Sequence, residues 1–383
     1  MNTYRFLIRL RRYDKENLLW QSTVAIRSDP VGWKVCQNGT IPMLDSLVAD
    51  VGQRASASQA ACRIGLAKRG FAITSKVRIN KVNIQRRNFL LTAVAFTGML
   101  AHAGKSLKGN SGRIKFGVCR PLSDASILKS VGYDFIECDV ASALMPDKGD
   151  DDWKRQRDKI LSLAVPLRSC NGFIPGRFRL TGPKADFAPA LDYAEIALRR
   201  AEEVGVKTIV FGSGGARNVP GDYCAKNFRD VPDVEKGFEQ YTQFCALLAK
   251  RIEDLKDVCV VIEPLRPNES NIVNFVWQGV QICNEVNSPR VRQLADIFHM
   301  MMGRESAASI VQAGSLLKHC HIAEHTTRNF PGSDPSRNHY FRAYFDALRT
   351  IGYTGSISCE CGWAGEGTFP QKLEKALKTM REF

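Results

Sequence analysis

Short apolar runs alternate with longer amphipathic stretches from residue 113 to residue 383. In one such stretch, Ala190, Leu191, Ala194, Ala197 and Leu198 recur at the spacing of a single helix face. The apolar runs predict β-strands at residues 114–119, 135–140, 167–171, 208–211, 259–263, 291–296, 317–322 and 356–360. The amphipathic stretches predict helices at residues 188–204, 234–255, 275–286, 337–351 and 370–380.

An α/β barrel closes with eight strands separated by helical segments, which is the number predicted for this chain. Residues 113–383 therefore predict one catalytic domain with a (β/α)8 TIM-barrel fold. Their length of about 270 residues is close to the roughly 250 typical of such barrels. A doubly wound open sheet is the alternative, and it is less favoured because no Gly-x-Gly-x-x-Gly turn follows the first strand.

Ligand-type side chains stand at or next to the ends of the last four predicted strands. They are Glu263, Asp296, His321 and Glu360. Residues at the carboxyl ends of barrel strands converge on one mouth, where enzymes of this fold carry out their chemistry. Three carboxylates and an imidazole in one place are typical of a divalent-metal site.

The formal net charge of +15 is unevenly distributed. Residues 1–87 hold 16 of the 54 Lys and Arg but only 5 of the 39 Asp and Glu, and the remaining 38 basic and 34 acidic residues nearly balance. The predicted barrel therefore lacks the electrostatic footprint of a nucleic-acid-binding domain.

Residues 77–103 resemble a Tat-type export signal. Arg86 and Arg87 precede an apolar core at residues 89–100, which Ala101-His102-Ala103 follows as a small-x-small cleavage site. The core of about a dozen residues is shorter than the roughly 20 that span a bilayer, so no stable membrane span is expected after cleavage. We expect an exported, periplasmic protein, with a cytoplasmic one as the alternative. Residues 1–76 are interpreted as a disordered or mis-called extension, with a small basic binding module as the competing interpretation.

The 12 cysteines are spread along the whole chain, and several fall within the apolar strands. A secreted disulfide scaffold would be short and dense in cysteine. We therefore expect buried free thiols that behave as small hydrophobic side chains.

Two further features predict ligand contacts at the mouth. Residues 212–217 form a glycine-rich loop after the fourth strand, which brings Arg217 toward an anionic or hydroxyl-rich group. Phe173, Phe178 and Trp363 flank strand ends, where aromatic faces suit the apolar faces of sugars. Packing at the rim is the equally open alternative for these rings.

The spacing around the strand ends is similar to that of a known group of barrels. Glu269 lies six residues beyond the end of the fifth strand, His299 three beyond the end of the sixth, and Arg328 seven beyond His321. With the four strand-end residues, these features resemble the sugar phosphate isomerase/epimerase superfamily of xylose isomerase-like TIM barrels, the AP endonuclease 2 type. The resemblance covers residues 113–383.

The resemblance implies roles for particular residues. One divalent metal ion, with Mn²⁺, Mg²⁺ or Co²⁺ expected rather than zinc, would be held by Glu263, Asp296, His321 and Glu360. Glu263 and Glu360 would also form the catalytic acid/base pair. Substrate hydroxyls would be bound, or the pair oriented, by Glu269, His299 and Arg328.

The function implied is sugar isomerisation or epimerisation by proton transfer next to a carbonyl, through an enediolate. A lyase, dehydratase or hydrolase acting on a keto-sugar, an inosose or a keto-glycoside is one alternative, and a non-catalytic carbohydrate-binding barrel is another. The expected partner is a small carbohydrate, and assembly into a homo-oligomer is an open alternative to a monomer.

The positions of the histidines narrow the choice among the members of the superfamily. No histidine lies between Ala103 and Phe298, whereas the DNA-repair members with a trinuclear zinc cluster use histidines after early strands. This pattern favours a single-metal sugar enzyme.

Overall fold

The computed structural model describes residues 112–224 and 230–383, together with the backbone of six strands nearer the amino terminus. The chain divides into two units, Met1–Leu107 and Lys108–Phe383. In the first unit the strands form two antiparallel sheets of three strands, Arg5–Arg12, Trp20–Arg27 and Lys34–Cys36, and Val48–Ala49, Arg63–Lys68 and Phe71–Lys76. The Tat-like segment 77–103 lies outside the described residues. That segment and the extension 1–76 remain predictions.

The second unit is a closed barrel of eight parallel strands with helices around it. Its strands are β1 Lys115–Cys119, β2 Phe135–Asp139, β3 Leu167–Asn171, β4 Thr208–Phe211, β5 Cys259–Ile262, β6 Val291–Asp296, β7 Leu317–Ile322 and β8 Ser356–Cys359. Pairing of Ser356 in β8 with Lys115 in β1 closes the barrel. The predicted TIM-barrel fold is confirmed.

Helices follow the strands and cover the outside of the barrel. The α-helices in the described ranges are α1 Ala125–Val131, α2 Val140–Ala143, α3 Asp150–Leu161, α4 Ala188–Glu203, α5 Gly214–Arg217, α6 Val234–Arg251, α7 Val276–Val286, α8 Ile297–Met302, α9 Ala308–Ala313, α10 Arg342–Thr350 and α11 Phe369–Arg381. Short 3₁₀ segments lie at Leu122–Asp124, Gly314–Leu316 and Pro335–Phe341, so the helix predicted at 337–351 begins as a 3₁₀ turn. None of the described helices combines the length and the apolar character needed to cross a membrane.

Helix α6 illustrates how local sequence sets these elements. Asp233 precedes it, and its carboxylate accepts a hydrogen bond from the Lys236 amide, which satisfies a donor that the helix itself leaves free. Tyr241, Phe244 and Leu248 recur on one face and are fully buried against the sheet. The helix is therefore begun by its cap and oriented by its apolar face.

Side chains alternate along each strand, so every second residue faces the barrel interior. Val210, Cys259, Val261 and Leu294 form a small apolar cluster separate from the main core. Buried polar residues extend across the sheet, namely Glu137, Ser169, Thr208, Gln293, His319, Ser356 and Ser358. Ser356, Ser358 and Glu360 succeed one another on one face of the chain, so this polar layer leads to the carboxyl-terminal mouth.

The cysteines within the described ranges are free thiols, and most of them are buried. Cys138, Cys170, Cys320 and Cys359 belong to the main apolar core. The expectation of buried free thiols is confirmed for these residues.

Gly117 provides a test of interior packing in the barrel. It pairs with Phe135 across β1 and β2, and a Cβ at position 117 would overlap the Phe135 ring. We expect Gly117→Ala to lower the free energy of unfolding by about 1–3 kcal/mol in urea denaturation, the usual range for overpacking. Gly149→Ala, where the added Cβ meets open space, is the matched control and should cost clearly less. Equal losses in the two variants would argue against tight packing at Gly117.

Candidate active site

The four ligand-type residues predicted at the strand ends converge at the barrel mouth. One ligand atom each from Glu263, Asp296, His321 and Glu360 lies within 4.8 Å of the others. Nδ1 of His321 is 3.0 Å from Oε1 of Glu263 and 3.6 Å from Oε2 of Glu360. The first three side chains are buried and Glu360 is half-buried. The structure thus brings the four predicted residues together at one place.

The cap of helix α8 orients Asp296. Its Oδ1 accepts hydrogen bonds from the amides of Phe298 at 2.7 Å and His299 at 3.2 Å. Oδ2 faces His299 instead, with 3.5 Å between Oδ2 and Nε2. Because one oxygen is committed to the helix start, the direction of the other is fixed.

The charges of the cluster are strongly coupled. Burial raises the pKa of Glu263, an effect that the neighbouring Glu360 and Asp296 carboxylates strengthen and that His321 opposes. Burial alone would lower the pKa of His321, but Glu137 and Glu360 raise it well above its usual value. Three carboxylates packed around one imidazole repel one another, and a positive charge between them would reduce that repulsion. Their oxygen-rich donor set fits a divalent cation.

The residues predicted to bind substrate lie around this cluster. Arg328 donates to Oε1 of Glu269 at 3.0 Å and to Oε2 of Glu360 at 2.7 Å. Nε2 of His299 is buried without a hydrogen-bond partner, 3.7 Å from Oε2 of Glu269. His299 therefore offers an uncommitted ring nitrogen at the mouth, and Glu269 and Arg328 are held together beside it.

Arg328 occupies a left-handed backbone conformation with φ of 52°, which is uncommon for a side chain other than glycine. The surrounding loop holds this conformation. The Glu324 carboxylate accepts hydrogen bonds from the amides of Thr326 and Thr327, and the Arg328 carbonyl accepts one from the Gly362 amide at 2.8 Å. Such strain persists where surrounding contacts determine it, and here it places a guanidinium against Glu360.

A cavity of about 490 Å³ adjoins the cluster at the ends of β1, β2 and β3. Its lining includes Cys119, Arg120, Asp139, Lys159 and Asn171. The amide of Asn171 donates to Oε1 of Glu360 at 3.0 Å, so this wall of the cavity reaches the cluster itself. The lining is rich in hydrogen-bonding groups, which suits a small polar ligand.

A family model for the xylose isomerase-like TIM barrel matches residues 125–383. The chain belongs to the xylose isomerase-like TIM barrel family. An L-ribulose 3-epimerase of Methylomonas sp. is 29% identical over 164 residues, which are 43% of this chain and 54% of that protein. A D-psicose 3-epimerase of Agrobacterium fabrum is 33% identical over 100 residues, 26% of this chain and 33% of that protein. The chain thus matches about half or less of the length of these curated relatives.

Solved structures share the barrel. The D-psicose 3-epimerase of Clostridium cellulolyticum, determined with D-tagatose, has a TM-score of 0.57 at 20% identity over 70% of this chain and 98% of that chain. The 3-keto-D-glucoside 4-epimerase of E. coli has a TM-score of 0.56 at 20% identity over 71% of this chain and 100% of that chain. At this identity the similarity establishes a common fold.

In this xylose isomerase-like barrel, Arg217 does not have the position expected of a substrate-binding residue. It is fully buried, and its guanidinium donates to the carbonyls of Phe211 at 3.2 Å, Glu263 at 3.0 Å and Val273 at 3.2 Å. It also donates to the Ser270 hydroxyl at 3.1 Å. The expectation of a ligand contact is corrected, because these donors already join the segments that follow β4 and β5.

The aromatic residues near the strand ends also pack within the protein. Phe173 is fully buried and meets Phe211 edge-on, so the idea that it covers a sugar is wrong. Trp363 stacks on Phe330 with ring centroids 5.4 Å apart and meets Phe369 edge-on. Phe178 lies beneath the Arg177 guanidinium and against Tyr193. For Trp363 and Phe178 these contacts favour packing at the rim over ligand binding.

Sequence reasoning missed two residues of the family barrel that touch the cluster. Glu137 lies 2.9 Å from Nε2 of His321, and Asn171 binds Glu360. Burial would raise the pKa of Glu137, but His321 and His319 hold it well below its usual value. Glu137 is an acidic residue inside the apolar run Phe135–Asp139, and that polar position on an early strand was the available signal.

The burial of Arg217 can be tested directly. We expect Arg217→Met to lower the free energy of unfolding by about 3 kcal/mol or more in a guanidinium titration, because several buried carbonyls would lose their donor. Arg179→Met is the matched control, since the exposed Arg179 donates to one carbonyl, that of Gly215, and should cost about 0.5 kcal/mol or less. Unchanged stability in Arg217→Met, together with weaker sugar binding, would restore the ligand-binding interpretation.

Proposed function

We propose that this barrel is a divalent-metal-dependent sugar isomerase or epimerase that transfers a proton on a carbon next to a carbonyl group. The observation that carries the proposal is the cluster of Glu263, Asp296, His321 and Glu360, which unites a metal-ligand set with two carboxylates suited to proton transfer. The relatives named as L-ribulose and D-psicose 3-epimerases support a ketose as the substrate class.

The cation would be held by Glu263, Asp296, His321 and Glu360. When bound, such an ion stabilises the negative charge that develops on the carbonyl oxygen of the substrate. Carboxylate oxygens supply three of the four ligands, which favours Mn²⁺, Mg²⁺ or Co²⁺ over a softer metal. Their close approach to one another explains why the protein would gain stability from a cation at this position.

Proton transfer is assigned to Glu263 and Glu360. Both carboxylates lie in the cluster, where each can accept a proton from the substrate and return it. Hydrogen bonds from Arg328 and Asn171 fix the orientation of the Glu360 carboxylate. Removal of a proton from one face of the carbon and its return to the other inverts the centre, which is epimerisation.

Glu269, His299 and Arg328 are assigned to the substrate hydroxyls. The buried and uncommitted Nε2 of His299 and the ion pair between Glu269 and Arg328 form one side of the mouth. The cavity of about 490 Å³ lies on the side of β1 to β3 and accommodates the rest of a sugar. Return of the proton to a neighbouring carbon gives isomerisation, and departure of a β-hydroxyl gives elimination, so the position of the substrate selects the outcome.

Glutamine variants test the two carboxylates. We expect Glu263→Gln and Glu360→Gln each to lower kcat by about 10²- to 10⁴-fold, because an amide cannot transfer the proton. NMR of D-psicose, L-ribulose and D-tagatose incubated in D₂O with the enzyme measures both epimer formation and deuterium incorporation. Glu305→Gln is the control, a half-buried glutamate that accepts from the Val276 amide at 2.9 Å and should stay within threefold of the wild type. Full activity in both site variants would overturn the proposal.

Removal of metal tests the cluster as a whole. Dialysis against EDTA should abolish epimerisation and deuterium exchange, and added Mn²⁺ should restore both. At a free Mn²⁺ concentration of 100 times Kd the stability should rise by about 2.7 kcal/mol, measured from denaturant curves with and without the ion. A protein that is equally active and equally stable after chelation, with no metal left by elemental analysis, contradicts a metal-dependent mechanism.

A further inference from the structure

Glu137 lies beneath the candidate active site, in the interior of the barrel, and is fully buried. Its Oε1 is 2.9 Å from Nε2 of His321. Its Oε2 is 2.8 Å from Nε2 of His319 and accepts a hydrogen bond from the Ser358 hydroxyl at 2.6 Å. One carboxylate thus contacts two imidazoles and a hydroxyl, and these contacts offset the free-energy cost of burying its charge.

These contacts determine which ring nitrogens carry protons. A carboxylate is only an acceptor, so each imidazole must present an N–H at Nε2 to make the observed hydrogen bond. On the other side of the His319 ring, Nδ1 is 3.0 Å from the Ser356 hydroxyl. On the other side of the His321 ring, Nδ1 faces Glu263 and Glu360. By the same rule, Nδ1 of His321 can donate an N–H to these carboxylates when no cation is bound. Because Nε2 stays engaged with Glu137, Nδ1 is the nitrogen that would release its proton and offer its lone pair to a cation.

We propose that Glu137 is a positioning residue for the metal site: it holds the proton of His321 on Nε2 and so directs Nδ1 toward the cation. This inference rests on the proposed function, because it assumes that the cluster of four ligand-type residues binds a metal. A partner on the far ring nitrogen orients a histidine ligand and increases its basicity, and loss of such a partner typically weakens metal binding 10- to 100-fold.

The same three residues do not have the geometry of a second metal site. Ligand atoms of Glu137, His319 and His321 do lie within 4.8 Å of one another. The N···O distances of 2.8 and 2.9 Å, however, are those of direct hydrogen bonds. Both Glu137 oxygens thus already accept hydrogen bonds within this group, from the two imidazoles and from the Ser358 hydroxyl. The group is therefore a hydrogen-bonded support for the site above it.

The position of Glu137 is set by several strands at once. His319 is on β7, Ser356 and Ser358 are on β8, and Glu137 is on β2, so the hydrogen bonds cross the barrel interior. Ser169 of β3 lies 3.4 Å from Nε2 of His319 and accepts a hydrogen bond from Thr208 of β4 at 2.9 Å. Because the network spans five of the eight strands, it holds the Glu137 carboxylate in one place relative to His321.

Glu137→Gln is the decisive variant, since it keeps the shape of the side chain but replaces one acceptor by an NH₂ donor. If the NH₂ group faces His321, that imidazole must carry its proton on Nδ1. If it faces His319, His321 keeps only a neutral amide oxygen as its acceptor, which supports the basicity of Nδ1 less than a carboxylate does. We expect the Kd for Mn²⁺, measured by isothermal titration calorimetry on the full chain, to rise 10- to 100-fold. Ser358→Ala is the matched control, because it removes a hydrogen bond to the same carboxylate and leaves the contact with His321 intact. Its Kd should stay within threefold of the wild type.

A second measurement is made on the unmutated protein and does not depend on the folding of a Glu137 variant. In the Mg²⁺-loaded wild type, ¹⁵N NMR of the imidazole groups should show a protonated Nε2 and an unprotonated Nδ1 for His321, with slow exchange of the buried Nε2 proton. The His321 signals are assigned by their loss in His321→Gln. A proton on Nδ1 with the ion bound would falsify the inference.

The outcomes separate this inference from the proposed function. A wild type that binds no Mn²⁺ overturns the proposed function and the role of Glu137 with it. A wild type that binds Mn²⁺ while Glu137→Gln binds equally tightly overturns only the role of Glu137. Equal weakening by Glu137→Gln and Ser358→Ala also overturns it, because a general disturbance of the interior would then explain both.

Discussion

The imidazole of His321 joins the interior of the barrel to its mouth, and the arrangement of the site depends on it. Nε2 meets Glu137 at 2.9 Å and Nδ1 meets Glu263 at 3.0 Å, so one ring separates two buried carboxylates. Without that ring, several acidic groups would be buried next to each other in a medium that screens charge poorly. The imidazole lowers the free-energy cost of burying these carboxylates, and a divalent cation would neutralise their remaining negative charge.

Around that ring, hydrogen bonds from the protein scaffold hold the acidic side chains in place. Asp296 caps helix α8, Glu360 accepts from Asn171 and Arg328, and Glu137 accepts from the interior of the barrel. Arg217 acts one step further away, because it binds the carbonyl of Glu263 and so fixes the backbone that carries this carboxylate. A site built on strand ends and held by such contacts is already ordered before a ligand arrives, which reduces the reorganisation that catalysis requires.

The sequence was most informative where a physical constraint acts locally. The strands were predictable because their apolar runs are short and regularly bounded, and the eight predicted runs correspond to β1 to β8 with ends that differ by at most one residue. The four residues of the cluster were predictable because each follows an apolar run closely and parallel strands end on the same side. Arg217 was misinterpreted because a glycine-rich loop next to an arginine is equally consistent with ligand binding and with a buried arginine that donates hydrogen bonds to backbone carbonyls.

The sequence by itself thus determined the barrel, its closure by eight strands and the position of four ligand-type side chains at the ends of the last four, since periodicity and strand-end position are properties of short segments. Only the tertiary structure decided that Glu137 and Asn171 belong to the site, because their partners lie 184 and 189 residues away along the chain. It likewise decided that Arg217 is structural and that His321 directs Nδ1 to the mouth. Hydrogen bonds across a closed barrel depend on which strands become neighbours and which way each side chain points. Neither can be predicted from the sequence of a single segment.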